Sequence, residues 1–334
     1  MWIEIIVSLF PVFIFLVAFI LLDSFKLIAN HSIIQAILAG GILAILCLSF
    51  NSWVVNNIGV HWQINVRYIA PLLEELCKAL FLIYLIRQNK VGFMVDAAIY
   101  GFAVGAGFAF VENIHYLHSK PHISLLGWII RGLGTAVMHG GTCAIFAIFS
   151  KSLCDRWEAN KIYFFIPGIL LASIIHSFFN HFFLNPVLMT VLQLIILPLL
   201  IYLVFSHSEK ILRNWLEFGM DSDVQLLEYI NRGKISTTKI GKYLRKLREN
   251  FSGEIVADML CYIRIYLELA VRAKGVLLMQ ENGFRIKVED DIKDKFKELN
   301  FLEKSIGKTG KLALSPIFRT KTRDLWQLYF LNSK

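Results

Sequence analysis

Seven stretches of this chain are apolar for about 20 residues, long enough to cross a bilayer as helices. They fall near 2–22, 33–55, 66–86, 93–117, 125–150, 162–183 and 187–205. No ordinary soluble domain can bury that much apolar surface in such long runs. The chain therefore reads as all-α: a polytopic membrane helix bundle of about seven spans with a C-terminal, mostly helical soluble tail. Composition agrees: 56% of residues are hydrophobic and 18% charged. The formal net charge of +9 is uneven, because most Lys and Arg follow Ser206. That pattern fits a membrane domain with a basic tail and argues against a nucleic-acid binder. The five cysteines are scattered, with no CxxC pair and no disulfide framework. The apolar N-terminus lacks a basic leader and a small-residue cleavage site, so it reads as a retained first span.

The expected division is a transmembrane domain over 1–206, with its motif-bearing core at 66–183, and a tail domain over 207–334. Within the tail, 224–230 and 255–271 carry apolar residues at helical spacing, and 281–293 reads as a short strand or a loop. Loop cations set the expected orientation. Lys26, Arg87, Lys90, Lys151, Arg156 and Lys161 occupy the first, third and fifth loops. The N-terminus is then outside and the tail cytoplasmic.

Ionisable residues inside the apolar runs are costly and mark a functional site or a buried ion pair. The third run holds LLEELCKALFLIY, with Glu74 and Glu75 adjacent and Lys78 one turn on. Glu74 and Glu75 point about 100° apart on a helix. Glu112 and Asn113 end a Gly/Ala-rich helix suited to close packing. Asp96, at the start of that helix, reads as interfacial. His139 follows Arg131 by two turns, and His176 and Asn180 share a helix face at i, i+4. Counting about 1.5 Å per residue from the outer ends puts Glu75 ~14 Å, His176 ~10 Å and Glu112 ~8 Å deep, with His139 ~20 Å deep. Two chemistries suit this set. Neutral His with carboxylate can hold Zn²⁺ and keep a position open for water. Alternatively, a glutamate can activate water directly, with His and Asn stabilising the oxyanion.

Four motifs in order then carry a family resemblance. EELCK at 74–78 resembles the EExxK motif of the PrsW-type intramembrane proteases. DAAIYG at 96–101 followed by GFAFVENIHY at 107–116 resembles their second motif. Arg131 with His139 and Gly140 resembles the third, and His176–Asn180 the fourth, with Asn180 where some relatives carry Asp. The family is distantly related to the type II CAAX prenyl endopeptidases, whose EExxxR arginine is replaced here by lysine.

The resemblance implies a membrane-embedded endopeptidase acting on a membrane-anchored protein substrate near the outer leaflet. It is similar to bacterial site-1 proteases that cut anti-sigma factors, which suggests a bacterial inner membrane. The expected catalytic set is Glu74, Glu75, Glu112, His139, His176 and Asn180. Glu75 would activate water, Glu74 would tune or share its proton, and Asn180 would orient His176 or bind the oxyanion. Glutamate-activated water is the favoured mechanism; Zn²⁺ held by His139 and His176 is the alternative. The rival function is a non-catalytic transporter or ligand-sensing scaffold, although no inverted repeat is evident. A further reading gives the tail a recruiting or gating role.

Overall fold

The computed structural model describes residues 2–23, 27–120, 122–157, 161–281, 284 and 291–317. Among them there are helices and no strands. Two compact units emerge, 1–209 and 210–334.

In the first unit, α1 (Trp2–Leu9) and α2 (Pro11–Leu22) form one span. The next, α3 (Asn30–Trp53), runs into a π-helical turn at Val54–Ile58. A short α4 (Trp62–Ile64) and a second π turn (Asn65–Ile69) lead into α5 (Ala70–Arg87). Then come α6 (Met94–Ser119) and α7 (Leu125–Ile129), followed by a third π turn (Ile130–Thr135) that continues into α8 (Ala136–Arg156). The unit closes with α9 (Ile166–His181) and the apolar part of α10 (Pro186–Asn231). The turn between α9 and α10 is short because Phe182 takes a left-handed conformation (φ 50°) and ends α9 at once.

Among the described residues, six helices are long and apolar enough to cross a membrane. The seventh expected span, α5, is not among them because it carries four charged residues, Glu74, Glu75, Lys78 and Arg87. Its first three ionisable side chains are nevertheless buried. The reason is architectural: α5 packs against α9, α3 and α8, so its charges face protein rather than lipid.

The interior helices are α6 and α8, buried over most of their length, whereas α3, α9 and α10 turn most of their surface outward. Without a hydrophobic force between helices in lipid, close approach depends on small residues. A methyl group at Gly107 would lie 1.9 Å from the Ile37 carbonyl oxygen on α3. One at Gly105 would lie 2.2 Å from the His139 carbonyl oxygen on α8. Both obstacles are backbone, so the helices would have to part. At Gly41, on the same α3–α6 contact, the nearest atom is a Val111 methyl at 3.1 Å, which can yield. Gly107→Ala is therefore expected to cost about 1–3 kcal/mol, and Gly41→Ala clearly less. Thermal unfolding of the two variants in detergent measures the difference; equal losses would refute the backbone-contact account.

Asp96 is buried within the protein, and its Oδ2 accepts the N–H groups of Gly92 (3.1 Å) and Phe93 (2.9 Å) at the start of α6. Those are orphan donors at a helix N-terminus, where a carboxylate also opposes the positive end of the helix dipole.

In the second unit, α11 (Lys239–Leu247), α12 (Gly253–Glu281) and α13 (Asp291–Leu314) bury Leu244, Met259, Ile263, Leu267, Leu299 and Ile306 together. The apolar runs at 224–230 and 255–271 lie in α10 and α12 as their spacing predicts. Of the segment read as a strand or loop, 282–283 and 285–290 lie outside the described residues, and 291–293 open α13. Gly307 kinks α13 at φ 67°, a conformation that glycine adopts without steric cost. Lys274, nearly buried, meets Asp223 at 2.7 Å.

Candidate active site

Four helices of the first unit deliver polar side chains to one buried point. Lys78 Nζ, fully buried, lies 2.6 Å from Glu75 Oε1, which closes the i, i+3 pair within α5. The same oxygen accepts from Thr142 Oγ1 on α8 at 3.1 Å and lies 2.8 Å from His176 Nδ1 on α9. Lys78 also reaches His139 Nδ1 at 3.0 Å and sits 4.6 Å above the Phe108 ring. His139 Nε2 is 3.1 Å from Glu112 Oε2. Glu112 in turn is 3.4 Å from Arg131, whose guanidinium stacks 3.7 Å from the centre of the Tyr116 ring. Arg131 Nε donates to Asn113 Oδ1 (3.0 Å), and Asn113 Nδ2 donates to the Ser8 carbonyl (2.7 Å). The two imidazoles meet edge to face, with centroids 4.8 Å apart.

Glu74 points to a different side of α5, as adjacent helical residues must. Its Oε1 accepts from Asn51 Nδ2 at 3.2 Å, and its Oε2 is 4.0 Å from His176 Nε2. One ligand atom from each of Glu74, His139 and His176 lies within 4.8 Å of the others, and all three residues are buried.

That trio passes a chemical test for a divalent cation. Two imidazoles and one carboxylate form a donor set used by catalytic metal sites that keep a coordination position open. His176 has one nitrogen engaged by Glu75 and the other turned towards Glu74. This is the carboxylate–histidine relation that fixes a ligating tautomer. Two cations, Lys78 and Arg131, stand among the three carboxylates Glu74, Glu75 and Glu112.

Five of the six residues expected from sequence converge here: Glu74, Glu75, Glu112, His139 and His176. Asn180 does not join them by hydrogen bonding. Its Nδ2 donates to the Val66 carbonyl (3.0 Å), while Ser177 Oγ donates to the Arg67 carbonyl (2.5 Å). Both acceptors lie in the π turn ahead of α5, so this face of α9 ties that helix to the approach of α5. Among the described residues Asn180 makes no hydrogen bond to His176; its amide is turned to the Val66 carbonyl instead. Thr142 and Asn51 were not anticipated. Thr142 follows His139 by three positions on one helix face, a spacing the sequence does show; Asn51 had no such signal.

Counting along the helices put His139 within one or two turns of the other polar residues, and its ring meets that of His176.

Comparison with known families matches the model of the PrsW family of intramembrane metalloproteases to residues 28–205, more than half of the chain. This range extends the motif region to include α3 and the apolar part of α10. No curated protein and no solved structure matches the chain. With its buried Glu/His/His group and its apolar helices, the chain belongs to the PrsW intramembrane metalloprotease family and is a multi-pass membrane protease.

Proposed function

We propose that this protein hydrolyses a peptide bond in membrane-anchored proteins, with a divalent cation, most simply Zn²⁺, held by Glu74, His139 and His176. The observation that carries the reading is the convergence of those three side chains within 4.8 Å in a buried site. A bound cation would polarise the scissile carbonyl and lower the pKa of a coordinated water. The remaining work belongs to the protein. Glu75 takes the Nδ1–H of His176 and so presents Nε2 to the reacting side. With three donors already on its Oε1, Glu75 is a positioning residue in this reading rather than the base that activates water. Glu112, held by Arg131, accepts from His139 Nε2 in the structure. It is the carboxylate nearest to that ring and the best general-base candidate once His139 turns to its ligand role. Burial excludes bulk water and strengthens each of these interactions.

The loop cations favour an N-terminus outside and a cytoplasmic tail, and the family resemblance favours a bacterial inner membrane. Cleavage is then on the extracytoplasmic side, as for a site-1 protease, and a membrane-anchored anti-sigma factor is a substrate of the right kind. In this reading the unit over 210–334 is the cytoplasmic domain that recruits partners or regulates cleavage.

The test compares cells expressing wild type and His176→Ala at matched levels by quantitative proteomics. A small set of single-pass proteins should yield extracytoplasmic fragments that depend on His176. Identical fragment profiles, with both proteins inserted, would remove the protease assignment for this site.

A further inference from the structure

An apolar groove of about 370 Å³ lies beside the cluster between α8, α9 and α10. None of its fifteen lining residues is charged, and the two with polar side chains that matter are Thr142 and Gln193. Thr142 connects the groove directly to the site, since its hydroxyl donates to Glu75 Oε1. Met138, beside His139, forms part of the same wall. At the other side the groove meets the bilayer: Leu192 and Ile196 of α10 are 38% and 57% exposed. Beside Gly141 of α8, the nearest atoms of α10 belong to the Leu197 side chain.

The geometry points to this groove as the lateral access and binding site for an apolar, unwound segment of the substrate's transmembrane helix, next to the bond to be cut. The inference rests on the protease reading above and names the substrate chemistry that site takes. Three features select the occupant. Thr142 lines the groove and bonds Glu75, so what fills the groove lies one side chain away from the reacting groups. It offers no cation for a phospholipid headgroup, which disfavours a lipid as its resident. It does offer an acceptor for peptide backbone. Gln193 Nε2 donates to the Gly134 carbonyl at 3.0 Å, while its Oε1 takes no hydrogen bond among the described residues. A helix cannot present its scissile bond without unwinding, and in hydrocarbon each freed N–H must find a protein partner. Gln193 Oε1 is such a partner on a wall that is otherwise apolar. The volume lies at the lower end of the range for ligand pockets, enough for a few apolar side chains rather than a whole helix.

The test uses the full chain in proteoliposomes with a photoreactive phenylalanine analogue at Ile196. A matched control carries it at Leu38 of α3, which is 61% exposed on the bilayer side of a different helix. The probe is a biotinylated leucine-rich single-span peptide of about 20 apolar residues with lysine flanks. Both positions are examined in the wild-type and Glu75→Gln backgrounds. Peptide adducts are expected to be about tenfold more abundant at Ile196 than at Leu38. Equal yields at the two positions, or lipid adducts alone at Ile196, would overturn the groove assignment. Cleavage of the peptide by the chain without photoprobe is read separately. Selective adducts without any cleavage keep the groove and count against the protease reading; cleavage with equal yields does the reverse.

Discussion

His176→Ala and Glu74→Gln are each expected to lower cleavage of a purified membrane-anchored substrate by about 10²–10⁴-fold, the range that positioned acid–base and electrostatic groups contribute. His176 joins the two sides of the site: Nδ1 faces Glu75 at 2.8 Å and Nε2 faces Glu74 at 4.0 Å. Its removal also leaves Glu75 with one donor fewer in a buried setting. Glu75→Gln acts through His176, so its expected loss is smaller, about 10–100-fold. Asn180 provides the contrast. It ties α9 to the π turn at Val66 and touches no reacting group, so Asn180→Ala should lower thermal stability by about 1 kcal/mol while retaining most activity. The measurement is initial rate against unfolding temperature for all four variants in one detergent. An Asn180→Ala loss as large as that of His176→Ala, at unchanged stability, would restore Asn180 to the oxyanion role expected from the motif alone. Wild-type rates in both His176→Ala and Glu74→Gln would dismiss the cluster as the site of chemistry.

Metal content is the second large effect. The purified chain is expected to carry about one divalent cation, as one Glu/His/His group implies. His139→Ala and His176→Ala should each retain almost none, by elemental analysis after gel filtration. Asn180→Ala should bind as wild type does. The readout is independent of any substrate. It also separates the two mechanisms that the sequence left open. A fully active preparation without metal would return the reaction to glutamate-activated water, with Glu74 or Glu112 as the base. Chelation that stops cleavage, with recovery on adding Zn²⁺, would complete the metal account. Because ligating imidazoles must be neutral and carboxylates ionised, retention should also weaken towards acid pH.

The structure gives both predictions their selectivity, and the polar network explains why this set of charges tolerates burial. Each ionisable side chain has a named partner: Lys78 with Glu75, Arg131 with Glu112, and both imidazoles with carboxylates. Removing one member leaves another unpaired where water is scarce, so single substitutions here risk stability as well as rate. Insertion and unfolding controls therefore belong with every activity measurement on this cluster. The same logic accounts for α5. A helix with two glutamates and a lysine is too charged to face lipid on every side, yet it sits in the bundle because α3, α8 and α9 pack against it.

The amino-acid order by itself determined the helical class, because runs of about 20 apolar residues can satisfy their backbone in a bilayer only as helices. It determined the close packing of α6 from its glycines and alanines, and it exposed the polar residues against an apolar background, where an ionisable group needs a reason to exist. Motif order added the family. Contacts between those residues were beyond it, since helix periodicity specifies which face a side chain occupies but not which neighbour covers that face. Only the tertiary structure set Glu74 apart from Glu75, enlisted Thr142 and Asn51, and directed Asn180 to Val66. It also brought the His139 ring against that of His176. Counting along one helix gives an approximate depth for each residue, but which rings meet across helices is set by packing between segments distant in sequence.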